Sequence, residues 1–110
     1  MRSEAKLLPL LLVLPVLASA GEIYGKITLA GTPVGEGVQV SARCGATAYP
    51  AVSTDKTGSY HLVVNETGKC TLTVTRQGQS ATLDVASYED GAQADIVLES
   101  KDNQLTARRR

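Results

Sequence analysis

The sequence predicts an all-β domain, a seven-stranded antiparallel Greek-key β-sandwich, behind a short apolar leader. Three observations lead there: apolar and polar residues alternate through almost every segment after Gly21, β-branched residues fill the positions between turn signals, and the turns recur at short, regular intervals. Such strands show one face to a shared interior and the other to water, which two packed sheets satisfy. No segment after Gly21 carries a helical period.

The leader comes first. Arg2 and Lys6 form a basic start, residues 7–17 are apolar and broken only by Pro9 and Pro15, and Ala18, Ser19 and Ala20 end the run with small side chains. This is the layout of a secretory signal peptide over 1–20, cleaved between Ala20 and Gly21. Eleven residues at helical rise cover only about half of a ~30 Å hydrocarbon core, so the run is too short for an anchor. Position 21 is glycine, where lipid attachment needs cysteine. The expected location is secreted or periplasmic, with no stable membrane insertion.

Within the domain, 21–100, the first strand covers 22–29 with Ile23, Gly25, Ile27 and Leu29 on one face and Tyr24, Lys26 and Thr28 on the other. The turn over 30–37 contains Gly31, Pro33, Gly35 and Gly37, which permit reversal. The second strand, 38–44, turns Val38, Val40, Ala42 and Cys44 inward. A third, 47–53, contains Pro50, which cannot donate to a ladder and pushes the strand to a sheet edge. In the tight turn 53–58, Asp55 caps the backbone two residues on and Gly58 takes the left-handed conformation. Then come a strand with Tyr60, Leu62 and Val64 inward and His61 outward, and 69–76 with Cys70, Leu72 and Val74 inward. Gln77-Gly78 makes a hairpin into 79–87, where Ala81, Leu83 and Val85 face inward; after the acidic turn 89–91, the strand 92–99 turns in Ala94, Ile96 and Leu98.

Cys44 and Cys70 are the only cysteines. Export places them in an oxidising compartment, both have inward parity at adjoining strand ends, and they are expected to form a disulfide. Closing a loop of about 27 residues contributes roughly 3 to 4 kcal/mol on the chain-entropy model. Two cysteines with one histidine cannot complete a zinc site, and redox motifs place their sulfurs much closer in sequence.

Little else carries chemistry. His61, the only histidine, sits on an outward face with no nucleophile assigned beside it, and the acidic groups lack the alternation of a calcium loop. No metal or cofactor is expected. Asn65-Glu66-Thr67 matches the N-glycosylation acceptor pattern. With no Trp or Phe, Tyr24, Tyr49 and Tyr88 are the rings available for a shallow sugar-binding platform.

The chain is formally neutral, but the charge is unevenly placed. Residues 21–100 hold five basic against nine acidic residues, a net of −4, which argues against nucleic acid as a partner. Residues 101–110 hold Lys101, Arg108, Arg109 and Arg110 against Asp102 alone. The segment reads as a flexible, solvated basic tail; the functional alternative is contact with an anionic surface.

Gly25-Lys26-Ile27-Thr28, the run Gly31-Thr32-Pro33-Val34-Gly35-Glu36-Gly37 into Val38-Gln39-Val40, Thr54-Asp55 to Gly58-Ser59-Tyr60, and Gly68-Lys69-Cys70-Thr71-Leu72-Thr73-Val74 resemble carboxypeptidase regulatory-like domains. The resemblance implies a transthyretin-like, immunoglobulin-type sandwich with a role in stability or recognition. Hydroxyisourate hydrolases of the transthyretin-like group use several histidines and a characteristic C-terminal motif, where this chain has one histidine and an Arg-rich end. The expectation is therefore an exported module that is not an enzyme and binds a protein or cell-envelope glycan, with carbohydrate binding through the tyrosines as the alternative.

Overall fold

A computed structural model describes residues 21–87 and 91–110. The leader 1–20 and Tyr88, Glu89 and Asp90 lie outside the described residues. The strands are β1 (Gly21–Leu29), β2 (Thr32–Pro33), β3 (Gln39–Cys44), β4 (Thr47–Ser53), β5 (Ser59–Val64), β6 (Gly68–Arg76), β7 (Gln79–Ser87), β8 (Ala92–Gln93), β9 (Ile96–Lys101) and β10 (Gln104–Arg109). They form two sheets. In the first, β1 is flanked by β5 and β2 on one side and by β8 and β9 on the other, with β10 beyond β9; the second runs β4-β3-β6-β7.

The inward parity is the one the alternation predicts. Ile23, Ile27, Val40, Leu62, Val64, Leu72, Val74, Ile96 and Leu98 are at most 2 % exposed, and they make one dry interior between the sheets. Pro50 sits in a β-bulge: β3 and β4 pair at Val40↔Val52 and again at Ala42↔Tyr49, so Pro50 and Ala51 together oppose Ser41. The bulge leaves β4 on the sheet edge. In the 53–58 turn, Asp55 Oδ1 accepts hydrogen bonds from Thr57 N (2.9 Å), Thr57 Oγ1 (2.7 Å) and Ser59 N (3.0 Å), and Gly58 has φ 78°. These contacts favour the carboxylate and hold the Asp55 pKa below its ordinary value.

Cys44 and Cys70 are directly opposed on β3 and β6, with Cα atoms 4.2 Å apart, and are disulfide-bonded. The bridge staples neighbouring strands of one sheet.

Two sequence expectations are corrected here. The first sheet is not purely antiparallel, because β1 pairs in parallel with both β8 and β9; and the strands number ten among the described residues, because β2 and β10 are added and the expected strand 92–99 is split into β8 and β9. The parallel ladder is interrupted at Ala94 and Asp95, which pass over Gly25. A Cβ at Gly25 would collide with the Ala94 carbonyl oxygen and lie 2.7 Å from its carbon. The Tyr60 hydroxyl, buried opposite Gly25, donates to that same oxygen at 2.5 Å. Burial, then the nearby Asp95 carboxylate, push the Tyr60 pKa well above its ordinary value, while Arg109 opposes the shift.

The second correction concerns 101–110. The segment is not a loose tail: β10 pairs with β9 from Ile96↔Arg109 to Lys101↔Gln104. The hairpin turns on Asp102 (φ 55°) and Asn103 (φ 63°), two residue types that tolerate the left-handed conformation of a type I′ turn. Leu105 is buried and Ala107 packs against the core, and this apolar alternation gives β10 its reason to dock.

Candidate functional surface

The outward face of the first sheet gathers most of the side chains with binding chemistry. On β1, Glu22, Tyr24 and Lys26 project outward and are exposed; on β5, His61 and Val63 do the same. The register places Tyr24 beside His61 and Glu22 beside Val63. His61 Nε2 lies 2.9 Å from Glu22 Oε1, a diagonal pair across the two strands. Among the described residues, Tyr24 and Val63 are the exposed large hydrophobics, at 40 % and 54 %. Both lie on this face.

On the other flank, Arg108 pairs with Val97, which in turn pairs with Thr28 of β1. Arg108 and Arg110 follow Gln104 and Thr106 on the outward parity of the β10 segment, while Arg109 turns back and donates from its guanidinium to Gln93 O at 2.5 Å. Arg110 N donates to Asp95 O at 2.9 Å, which pins the chain after β10. The Asp95 carboxylate is occupied by Lys26 N (3.0 Å) and Gln93 Nε2 (3.3 Å). Among the described residues the ion pairs are His61–Glu22 and Lys69–Asp84, so Lys26, Arg108 and Arg110 form none there. All three are exposed, Lys26 and Arg108 on strands and Arg110 directly after β10.

The tyrosines do not make one platform. Tyr24 lies outward on the first sheet, whereas Tyr49 belongs to β4 of the second, opposes the inward Ala42, and packs against the core. The Tyr49 hydroxyl donates to Glu66 Oε1 at 3.1 Å and accepts Asn65 N–H at 3.0 Å. Tyr88 lies outside the described residues, as does Ala20 of the predicted cleavage junction; Gly21 begins β1. Asn65 is exposed in the turn between β5 and β6. Sequence reasoning missed the His61–Glu22 pair, because neighbours 39 residues apart are set by strand register and not by spacing.

An open groove runs between the β1–β2 turn and the β9–β10 hairpin, with Leu29, Leu98, Ser100 and Thr106 in its lining. It holds no histidine or cysteine to pair with its hydroxyls. Among the described residues no group of three or more His, Cys, Asp or Glu side chains is arranged to hold a metal ion. No helix among them is long and apolar enough to cross a membrane.

Two sheets with this strand arrangement define a transthyretin-like β-sandwich. The solved structure of Klebsiella pneumoniae 5-hydroxyisourate hydrolase is similar to it, with a TM-score of 0.56 and 17% sequence identity over 81% of this chain and 92% of that one. At that identity the likeness is one of fold. No protein-family model matches the chain, and no curated protein sequence matches it. The comparison corrects the expectation that the chain is not an enzyme: a solved protein with this fold is a hydrolase, so a sandwich of this type does not exclude catalysis.

Proposed function

We propose that this chain is an exported recognition module that binds an anionic cell-envelope glycan through the outward face of its first sheet. One observation carries the reading: β10 holds Arg108, with Arg110 just beyond its end, on the face that also presents Lys26 and the exposed ring of Tyr24, with no ion pair to any of the three cations among the described residues. Cations on a paired strand, or pinned beside one as Arg110 is by its N–H bond to Asp95 O, lose less conformational freedom on binding than cations on a loose tail. Each contributes about 1 kcal/mol near an anionic surface, and Tyr24 offers an apolar ring for stacking beside them. Export is supported by the disulfide and by the leader composition, and the resemblance to carboxypeptidase regulatory-like domains supports recognition as the role.

The test is co-sedimentation with purified anionic cell-wall glycan over a salt series. The reading expects saturable binding that weakens as salt rises, falls in the R108Q/R110Q double variant and falls further with Y24A. Binding that is indifferent to salt and to all three substitutions would sink it. N-terminal sequencing of the exported protein checks the cleavage junction, with Gly21 as the expected first residue.

A further inference from the structure

The backbone of β5 points to self-association. On β1, Tyr24 O accepts Ala94 N–H (2.7 Å) and Lys26 N–H reaches Asp95, so these residues direct their backbone groups away from β5. Antiparallel pairs alternate, hence Gly21, Ile23 and Gly25 bond with Val64, Leu62 and Tyr60. The intervening residues Ser59, His61 and Val63, and Asn65 beyond them, turn their backbone groups to the outer edge.

That edge is closed at both ends and open in the middle. Ser59 N–H donates to Asp55 Oδ1 at 3.0 Å and Ser59 O accepts Asp55 N–H at 3.0 Å. Asn65 N–H donates to Tyr49 Oη at 3.0 Å. Among the described residues, the N–H and C=O groups of His61 and Val63 make no hydrogen bond. The open window is centred on Leu62, and the capped positions lie three residues to either side. Edge strands are usually blunted by lysine, proline or a bulge. β4 has its proline bulge, and β10 lies against β7, with Gln79 Nε2 donating to Asn103 O at 2.6 Å. β5 contains no proline, no Asp, Glu, Lys or Arg, and no bulge in its pairing.

We propose that β5 is a self-pairing edge, and that two copies of this chain join by antiparallel β5–β5 pairing about a two-fold axis at Leu62. In that register His61 of each copy opposes Val63 of the other, and four hydrogen bonds satisfy all eight open backbone groups. The next pair outward would bring Ser59 against Asn65, whose edge N–H groups are already bonded, so the contact ends where the caps begin. Charge is compatible with the two-fold. No like charges meet in the register, since each imidazole faces an aliphatic side chain and each Glu22 lies one strand further out, beside Val63 of its own chain. Val63, the more exposed of the two large hydrophobics, is covered by the contact.

Sedimentation equilibrium of the purified protein over a wide concentration range tests the pairing, with amide hydrogen exchange as the residue-level readout. A dimer is expected, with His61 and Val63 amides protected in it and unprotected on dilution. Val63→Lys places charge beside the axis, opposite His61 of the other copy, and His61→Pro removes an edge donor that β1 does not use. Each is expected to raise the dissociation constant by about tenfold or more. Far-UV circular dichroism checks that each variant folds; if His61→Pro does not, Val63→Lys at its exposed site carries the test alone. A monomer at every concentration, or a dimer that a correctly folded variant leaves unchanged, overturns the proposal.

Discussion

Gly25→Ala puts the crossing of the first sheet under direct stress. The new methyl would sit 2.7 Å from the Ala94 carbonyl carbon and 2.9 Å from Asp95 Oδ1, and Ala94 has no exposed surface through which to retreat. Relief requires the Ala94–Asp95 link to lift off β1. Overpacking of this kind costs about 1 to 3 kcal/mol. Lifting the link also weakens the Tyr60 hydroxyl bond and strands a buried carbonyl, which costs about 1 to 3 kcal/mol more. Replacing glycine in a strand returns up to about 1 kcal/mol of backbone entropy. The net loss is then about 1 to 5 kcal/mol, out of a total near 5 to 15 kcal/mol for a small domain. Urea unfolding followed by circular dichroism reads it as a lower midpoint at unchanged slope, a fall of about 1 M or more if the slope is near 1 kcal/mol per M. Tyr60→Phe removes the hydroxyl alone and is expected to cost about 1 to 3 kcal/mol. Because both changes act through the Ala94 carbonyl, the double variant should cost less than the sum of the two. Strict additivity, or a Gly25→Ala loss below about 0.5 kcal/mol, would refute this account of the crossing.

Replacing Cys44 and Cys70 together by serine should lower stability by about 3 to 4 kcal/mol in the same urea assay. Asp55 supplies an acid-side dependence. Its folded pKa lies below the ordinary 3.8, so its contribution is full above that value and is lost as pH falls through the lower folded pKa. Asp55→Asn should therefore flatten the acid limb of a stability–pH curve while leaving the limb above neutrality unchanged. Tyr60 supplies the opposite sign. Its pKa is raised from 10.0, so its contribution is intact below pH 10 and is lost as pH rises toward the higher folded value, a loss that Tyr60→Phe removes from an alkaline unfolding titration. At the β9–β10 hairpin, Asn103→Val should cost about 1 to 3 kcal/mol, because a β-branched residue resists the φ of 63°, whereas Asn103→Gly should be tolerated.

Side-chain parity was legible in the sequence because it is local. Every strand residue assigned inward from 60 to 64 and from 70 to 74 is buried, and Asp55 and Gly58 close their turn as their chemistry requires. The Gln77-Gly78 hairpin has positive φ at both residues, the geometry that its sequence specifies. Pairing of distant strands was not legible. Nothing within 21–29 or 92–99 says that the two segments run parallel, and Gly25, read as one more inward position, is the site over which the Ala94–Asp95 link crosses. β10 was misread because four cations in residues 101–110 outweighed the Asp102-Asn103 turn and the Leu105–Ala107 alternation. Tyr49 was misplaced for a related reason: the bulge at Pro50 resets the parity of β4, which returns the ring to the interior. The positions of Arg108 and Arg110 on the candidate surface follow from β10 and were hidden with it.

The placement of the sulfur bridge bears on the order in which the two layers assemble. β3, β4, β6 and β7 lie within residues 39–87, so the bonded layer can gather and oxidise from the middle of the chain. Its counterpart has its spine in β1 and its far flank in β9 and β10, and it closes only when segments some seventy residues apart meet. That long-range closure is the entropically slow event. Covalent locking of one half is therefore available to a chain whose other half is still open, and reductant should retard maturation most strongly at this early stage.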